Sequence, residues 1–361
     1  MKRGLVLLAA ILCCFSTYSQ EADSNGNIPD FVVTPRFDAN LYAPTRTGGY
    51  RGFDFGNSSL YTFLDGSVGN FSYSLCNHWE SNDTAALYQN AFFSNEVNFV
   101  DWLTLSYRVG QFNFTIGKDM LALGTWELDY YDVDVHTSLV STFWQKVAIY
   151  QWGGSVDYTN KDESTTLRFQ FGTSPFGERP FASKLFTYSL DWHGEYGCFS
   201  PIWSVNFVEY DSGQFANIIA LGNAFSMGDF TLELDYMNRA TTAKNFFNQE
   251  FSVAAQLIYN YKDKVEVFAK GGYESYNGSD IFGYEDELFI PTDNSLLPRY
   301  WYAGGGLHYF PLRDSRALRL HAVAAYNNFA NSVSINIGAS YHFNLTETIL
   351  KHRKNRVTDD K

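Results

Sequence analysis

From about residue 31 to residue 343, apolar and polar residues alternate with a period of two, in runs long enough to cross a bilayer. In 264–275, Val265, Val267, Ala269 and Tyr273 share one face while Glu266 and Lys270 share the other. In 317–326, Leu318, Leu320, Ala322, Ala324 and Tyr326 oppose Arg319 and His321. The runs 332–343, 230–236 and 165–171 repeat the pattern. Alternation of this kind marks a strand with one apolar and one polar face. A soluble sandwich alternates too, but its strands run about five or six residues. A strand crossing the hydrocarbon needs about nine to eleven.

The runs are of the longer kind: 31–42, 59–68, 70–79, 91–100, 103–115, 147–158, 165–174, 185–194, 199–210, 215–226, 229–239, 248–261, 264–275, 299–310, 317–328 and 332–343. They predict a mainly β fold, a 16-stranded antiparallel transmembrane β-barrel, and an even count is expected of single-chain bacterial barrels. The connections tend to alternate in length. Ala43 to Ser58, Glu80 to Asn90, Ile116 to Lys146, Pro175 to Lys184 and Tyr276 to Pro298 are long. Gly69, Asp101-Trp102, Met227-Gly228 and Lys262-Asp263 are tight, as are three further turns. Asp211 to Gln214 and Phe329 to Asn331 break the rule. Long loops on one rim and tight turns on the other place both ends of the barrel in the periplasm of a Gram-negative cell.

Of 361 residues, 25 are Tyr and 32 are Phe, which suits a barrel with aromatic girdles at both membrane interfaces. Residues 1–19 read as a signal peptide: Lys2 and Arg3, an apolar stretch Leu5 to Phe15, then Thr17-Tyr18-Ser19 as the cleavage site. Leu12 before Cys13 argues against lipidation, and the two remaining cysteines, Cys76 and Cys198, are expected to be free. No later stretch reaches the length of a transmembrane helix. The formal charge of −13 argues against nucleic acid as a partner. The expected domains are the signal peptide, the barrel over 20–343, and a periplasmic tail over 344–361 carrying Lys351, His352, Arg353, Lys354 and Arg356. That tail reads as solvated or as a handle for an envelope protein partner. Phe343, an aromatic ending the last strand, suits recognition by the barrel-assembly machinery, and outer-membrane lipid and lipopolysaccharide are the expected surroundings.

No phosphate loop, nucleophile elbow, His-Glu-x-x-His or Cys-x-x-Cys is present, so no enzyme and no cofactor is expected. Asp191-Trp192-His193 could hold a base beside a carboxylate, but a lumen wall explains the pair better. The informative segment is the loop 116–146, between the fifth and sixth strands. It carries Asp119, Glu127, Asp129, Asp132 and Asp134 against Lys118, Lys146 and His136. In large barrels a loop at this position folds into the lumen, and a ring of carboxylates there favours cations over anions. An external loop kept soluble by its acids is the plainer alternative. The run Asp132-x-Asp134-x-His136 would point two carboxylates and an imidazole the same way if extended, a weak metal signal. On the strands, His78, Arg168, Glu233, Asp235, Glu266, Lys270, Arg319 and His321 are expected to line the lumen.

The stretch Asp101-Trp102-Leu103-Thr104-Leu105-Ser106-Tyr107-Arg108-Val109-Gly110-Gln111-Phe112, followed by Gly117, resembles a recurring signature of the phosphate-selective porin family, especially its members in Bacteroidetes. The resemblance implies a strand after a two-residue turn leading into the constriction loop, and a homotrimer. It also implies a pore lined by Arg and Lys, whereas this loop is acidic and no basic ladder follows along the strands. The expectation is therefore a porin-like channel for passive diffusion of small hydrophilic solutes or ions, with cations favoured. The alternative is a structural or partner-binding barrel within a larger envelope complex.

Overall fold

The computed structural model describes residues 28–47, 49–80, 100–146, 149–177, 179–242, 245–247, 250–275, 299–328 and 330–350. The expected signal peptide, residues 91–99 of one expected strand, and the basic patch of the tail lie outside them. The described strands are β1 (Asp30–Pro44), β2 (Gly52–Asp54), β3 (Ser59–Val68), β4 (Phe71–Glu80), β5 (Val100–Val109), β6 (Phe112–Met120), β7 (Tyr150–Thr159), β8 (Thr165–Thr173), β9 (Phe186–Gly194), β10 (Phe199–Asp211), β11 (Gln214–Met227), β12 (Phe230–Ala240), β13 (Glu250–Tyr261), β14 (Val265–Ser275), β15 (Arg299–Tyr309), β16 (Leu318–Asn327), β17 (Ser332–Tyr341) and β18 (Phe343–Asn344). The short β2 and β18 pair with β1 above and below its main partners.

The other sixteen form one antiparallel sheet in sequence order. It closes where β17 pairs with β1, from Arg36 opposite Ser340 to Pro44 opposite Ser332. The chain is therefore a closed 16-stranded barrel. Direct partners in an antiparallel pair lie on the same face, so each face can be followed around the wall. One face runs Gln256–Lys270, Glu266–His308, His308–His321, Ser340–Arg36, Thr34–Tyr61 and Tyr61–His78. This face points inward and is largely buried. The other face exposes Leu103, Ile116, Phe169, Leu190, Leu257 and Ile337.

An apolar exterior around a largely polar interior is the arrangement a bilayer requires, and it places the chain in the outer membrane. Exterior aromatics gather at two levels. Near the tight turns Phe71 lies against Tyr107, Phe112 against Tyr158, Phe199 against Phe225 and Phe230 against Tyr259. Toward the opposite rim Phe171 meets Phe186 and Tyr188, Phe251 meets Tyr273 and Trp301 meets Tyr326. Rings of this kind settle at the headgroup level, where an amphipathic side chain meets both phases.

One pair of expected strands needs correction. The strands expected at 91–100 and 103–115 are β5 and β6, and the turn between them is Gly110-Gln111, with Gly110 at φ 58°. Asp101-Trp102 is not a turn but a β-bulge. The pairing of β4 with β5 steps from Cys76–Trp102 to Asn77–Val100 and leaves Asp101 as the extra residue. An extra residue interrupts alternation as a turn does. Here it serves a buried contact, since Asp101 meets His78 Nδ1 at 2.7 Å. Gly117 on β6 has φ 136°, and a Cβ there would lie 2.0 Å from the Leu103 carbonyl oxygen, so only glycine fits. Both described cysteines are free, Cys76 buried and Cys198 exposed. The first residues of the expected tail are docked: Thr346 Oγ1 accepts the Phe31 N–H at 3.0 Å and donates to the Pro29 carbonyl at 2.8 Å.

Leu190, 58% exposed, stands on the outer face of β9 with Leu167 and Phe169 as bulky neighbours on β8. Leu190→Arg should destabilise the folded barrel by about 2–4 kcal/mol if it lies near the bilayer midplane. Equilibrium unfolding in urea from lipid vesicles measures this, and Cys198→Ser at the exposed turn should leave the midpoint unchanged.

Candidate functional site

The segment between β6 and β7 is the part of the molecule with chemistry to offer. Its strand ends at Met120, so Asp119 sits on β6 beside Gln151 and the loop proper begins at Leu121. From there the chain turns into the barrel. It carries two short helical pieces, Trp126–Asp129 and Thr142–Lys146, and two 3-10 turns, Asp132–Asp134 and Thr137–Leu139.

Wall groups take up the loop's polar backbone, which could not otherwise be buried. Gln170 on β8 accepts the Ala122 N–H and Ser204 on β10 the Gly124 N–H, both at 2.8 Å. The Asp235 carboxylate on β12 caps the first helical piece, accepting the N–H groups of Trp126 and Glu127 at 2.9 Å each. Glu274 on β14 does the same for the second, accepting from the Thr142 N–H at 2.6 Å and its hydroxyl at 3.0 Å. Arg36 on β1 donates to the carbonyls of Val133 and Val135 at 2.8 and 2.7 Å. Beneath the loop, Leu121, Leu123, Leu128 and Phe143 pack on Val208, Ile218 and Met237 of the inner wall. Part of the interior is therefore dry.

Glu127 is the anchor of the loop. It is buried, and its Oε1 accepts from Lys270 Nζ and Tyr302 Oη at 2.9 Å and from the Ser141 N–H at 3.1 Å. Burial alone would raise its carboxyl; the Lys270 ammonium and these hydrogen bonds hold it below the usual range. Tyr130 donates to Glu233 on β12 at 2.5 Å. Asp134 pairs with Arg319 on β16 at 2.6 Å. His136 reaches His308 on β15, Nε2 to Nε2 at 2.8 Å, while His308 Nδ1 meets Glu266 at 2.8 Å. His321 lies edge-on to His136 and contacts Asp38 at 2.5 Å. Burial first, then Arg36, His308, His321 and Arg319, push the His136 imidazole well below its ordinary value.

All eight strand residues expected to face the lumen lie on the inward face. Glu233, Asp235, Glu266, Lys270, Arg319 and His321 stand where the loop docks. His78 is held by Asp101, and Arg168 by Asp157 at 2.8 Å. Among the five loop acids, Glu127 and Asp134 are ion-paired against the wall, whereas Asp129 is exposed and Asp132 half-buried. Asp132, Asp134 and His136 do not converge. The 3-10 turn breaks the extended geometry and sends them to Tyr150, Arg319 and His308. No group of three metal-capable side chains gathers among the described residues. Asp191 and His193 do face each other at 2.7 Å on the inner wall. Sequence reasoning missed Arg36, Tyr302 and Glu274, although each sits at an inward position of its own alternating run.

No family model matches the chain, and no curated protein does. Solved structures do match. OmpT of Vibrio cholerae, an outer-membrane protein, is 12% identical, with 89% of this chain and 99% of that one covered and a TM-score of 0.55. Its variant lacking loop L8 is 13% identical, covering 88% and 100%, with a TM-score of 0.57. A variant of the porin of Rhodopseudomonas blastica is 11% identical, again covering 88% and 100%, with a TM-score of 0.57. At these identities the likeness is one of fold.

Two outcomes follow for loop docking, each read as hydrogen-exchange protection of 121–146. Lys270→Met leaves Glu127 buried without its cation and should weaken docking by about 3–5 kcal/mol, and adding Glu127→Gln should recover most of that. Because the His136 pKa is depressed by docking, its contribution is fully present above the undocked value near about 6.5 and is lost as pH falls through the docked one. Protection, corrected for intrinsic exchange, should therefore drop between about pH 7.5 and 5.5. In His136→Phe it should drop less.

Proposed function

We propose that the chain is a porin-like channel of the outer membrane through which small hydrophilic solutes and ions diffuse passively, cations in preference to anions. The observation that carries this reading is the loop inside the barrel. Among the described residues its ion pairs are with Lys270 on β14 and Arg319 on β16, while Tyr131 and Val133 rest on Phe63 and Trp102 of the β3–β5 wall and Tyr150 on β7 donates to Asp132. In this reading the loop narrows the lumen, and the solute path runs past its exposed acids.

Charge supports the preference for cations. The segment 121–149 brings four carboxylates, Glu127, Asp129, Asp132 and Asp134, against Lys146 alone among lysines and arginines. The inward bases are held by acids: Arg36 by Asp38, Arg168 by Asp157, Lys270 by Glu127 and Arg319 by Asp134. A base in an ion pair presents little net field to a passing anion, so phosphate selectivity is not part of this reading despite the sequence resemblance. The acids we assign to the passage are Asp129, Asp132 and Asp134 on the loop, and Asp119 on β6 opposite Gln151. Glu127 acts indirectly, by holding the loop. No catalytic step is involved. A homotrimer in lipid and lipopolysaccharide, assembled by the barrel-assembly machinery, is the surrounding we propose.

Purified protein in a planar bilayer should give stepwise conductance with a reversal potential of cationic sign in asymmetric KCl. One carboxylate about 4 Å from an ion in water is worth about 1 kcal/mol, roughly fivefold. Asp129→Asn with Asp132→Asn should therefore lower the cation-to-anion permeability ratio by up to about that factor. A silent bilayer, or anion preference in the native protein, would refute the proposal.

A further inference from the structure

An aromatic ring standing in water inside a polar lumen is costly unless something apolar covers it. Tyr131 is such a ring. It is 59% exposed, although its loop lies inside the barrel. One side is backed by Trp102, stacked at 5.7 Å and 27°, with Phe63 edge-on at 6.1 Å. Trp102 is fixed in turn by donating its indole N–H to Ser74 Oγ at 2.7 Å.

Ser74 also lines an open recess of about 680 Å3 on the adjoining wall. Its inward side chains are Asp65, Ser67, Ser72, Ser74, Thr104 and Ser106. They form a grid on β3–β5, with Asp65 opposite Ser74, Ser67 opposite Ser72, Ser74 opposite Thr104 and Ser72 opposite Ser106. Platform and grid adjoin: burial and then the nearby Asp65 carboxylate raise the Tyr131 phenol.

We propose that Tyr131, backed by Trp102, and this grid of hydroxyls form a subsite for a neutral sugar ring. The inference rests on the channel reading, whose passage it would line. The chemistry fits on both sides. The C–H face of a pyranose is slightly positive and apolar and meets the negative face of an aromatic ring. Hydroxyls both donate and accept, as serine and threonine do, and a carboxylate accepts from two neighbouring hydroxyls. Among the described residues five serine and threonine hydroxyls and no base line the recess, so a phosphate or carboxylate ligand finds no counter-charge among them. An organic cation would also favour the ring face. Of the two carboxylates in the recess, Asp30 already accepts from the Asn344 amide at 2.7 Å, and the test below separates a cation from the sugar.

The test adds maltotriose to single channels of the purified protein and measures tryptophan fluorescence of the same detergent-solubilised protein. Concentration-dependent interruption of the current and a saturable fluorescence change are expected. Tyr131→Ala should weaken both by roughly tenfold, whereas Tyr131→Phe, which keeps the ring, should retain them. Folding of each variant is checked by its heat-modifiable mobility. Conducting channels that maltotriose leaves untouched overturn the subsite. So does interruption that Tyr131→Ala does not weaken, or interruption by tetraethylammonium but not by the sugar. A silent bilayer with a Tyr131-dependent fluorescence change sinks the channel reading and leaves the subsite standing. Silence in both measurements sinks both.

Discussion

The rest of the structure depends on one constraint: backbone N–H and C=O groups in hydrocarbon have no water to bond, so the sheet may have no edge. β17 meeting β1 supplies that closure. Closure with sixteen strands has a further effect, because inward side chains from opposite walls of so wide a cylinder do not meet. Something other than wall side chains must cross the middle. The chain uses the longest described connection between consecutive strands, the segment between Met120 and Tyr150. An eight-stranded barrel fills its own centre and needs no such device.

Folding a loop inside a barrel creates its own problem, since every turn of irregular backbone must find partners. The solution is an asymmetric wall. Acids and bases collect on β12–β17 and β1, where Asp235, Glu274 and Arg36 serve backbone groups and Lys270 and Arg319 serve carboxylates. Aromatic and hydroxyl groups collect on β3–β5, where Tyr131 and Val133 rest on Phe63 and Trp102. Buried ion pairs are weak contributors to stability but strong determinants of geometry, because breaking one leaves a stranded charge. The Glu127–Lys270 contact, closed further by Tyr302 and Ser141, is therefore better understood as setting where the loop lies than as strengthening the fold.

Much of the barrel was legible in the sequence because lipid outside and polar groups inside impose alternation on each strand. Fourteen of the sixteen long strands fall within three residues of the expected spans, and the exceptions have a local cause. Asp101 is a bulge residue, and a bulge and a turn look alike to a period-two reading. Alternation also fades at β11, where Ile218 packs under the loop and Ile219 is buried too. Both faces there are apolar because that stretch of interior is dry. The inward positions of Lys270, Arg319 and Glu233 could be read from parity alone. Their partners could not. The Glu127–Lys270 contact joins residues 143 apart, and no periodicity links a loop to the strand it will lean on. The metal-like spacing of Asp132, Asp134 and His136 failed for the same reason: it presumed extended backbone where a 3-10 turn forms.

The seam has a consequence for how the molecule comes into being. Thr346, near the end of the described chain, clasps Phe31 and Pro29 across 317 residues of sequence. Until those last residues exist, the growing sheet carries two open margins with nothing to join them, and open margins recruit other chains. The hairpins can form early from near neighbours, but the final zippering has among the greatest sequence separations available to the polypeptide and is intrinsically slow. A truncated or stalled copy would thus be a sticky ribbon rather than a smaller vessel, and the closing stretch decides whether all the preceding pairing is of any use.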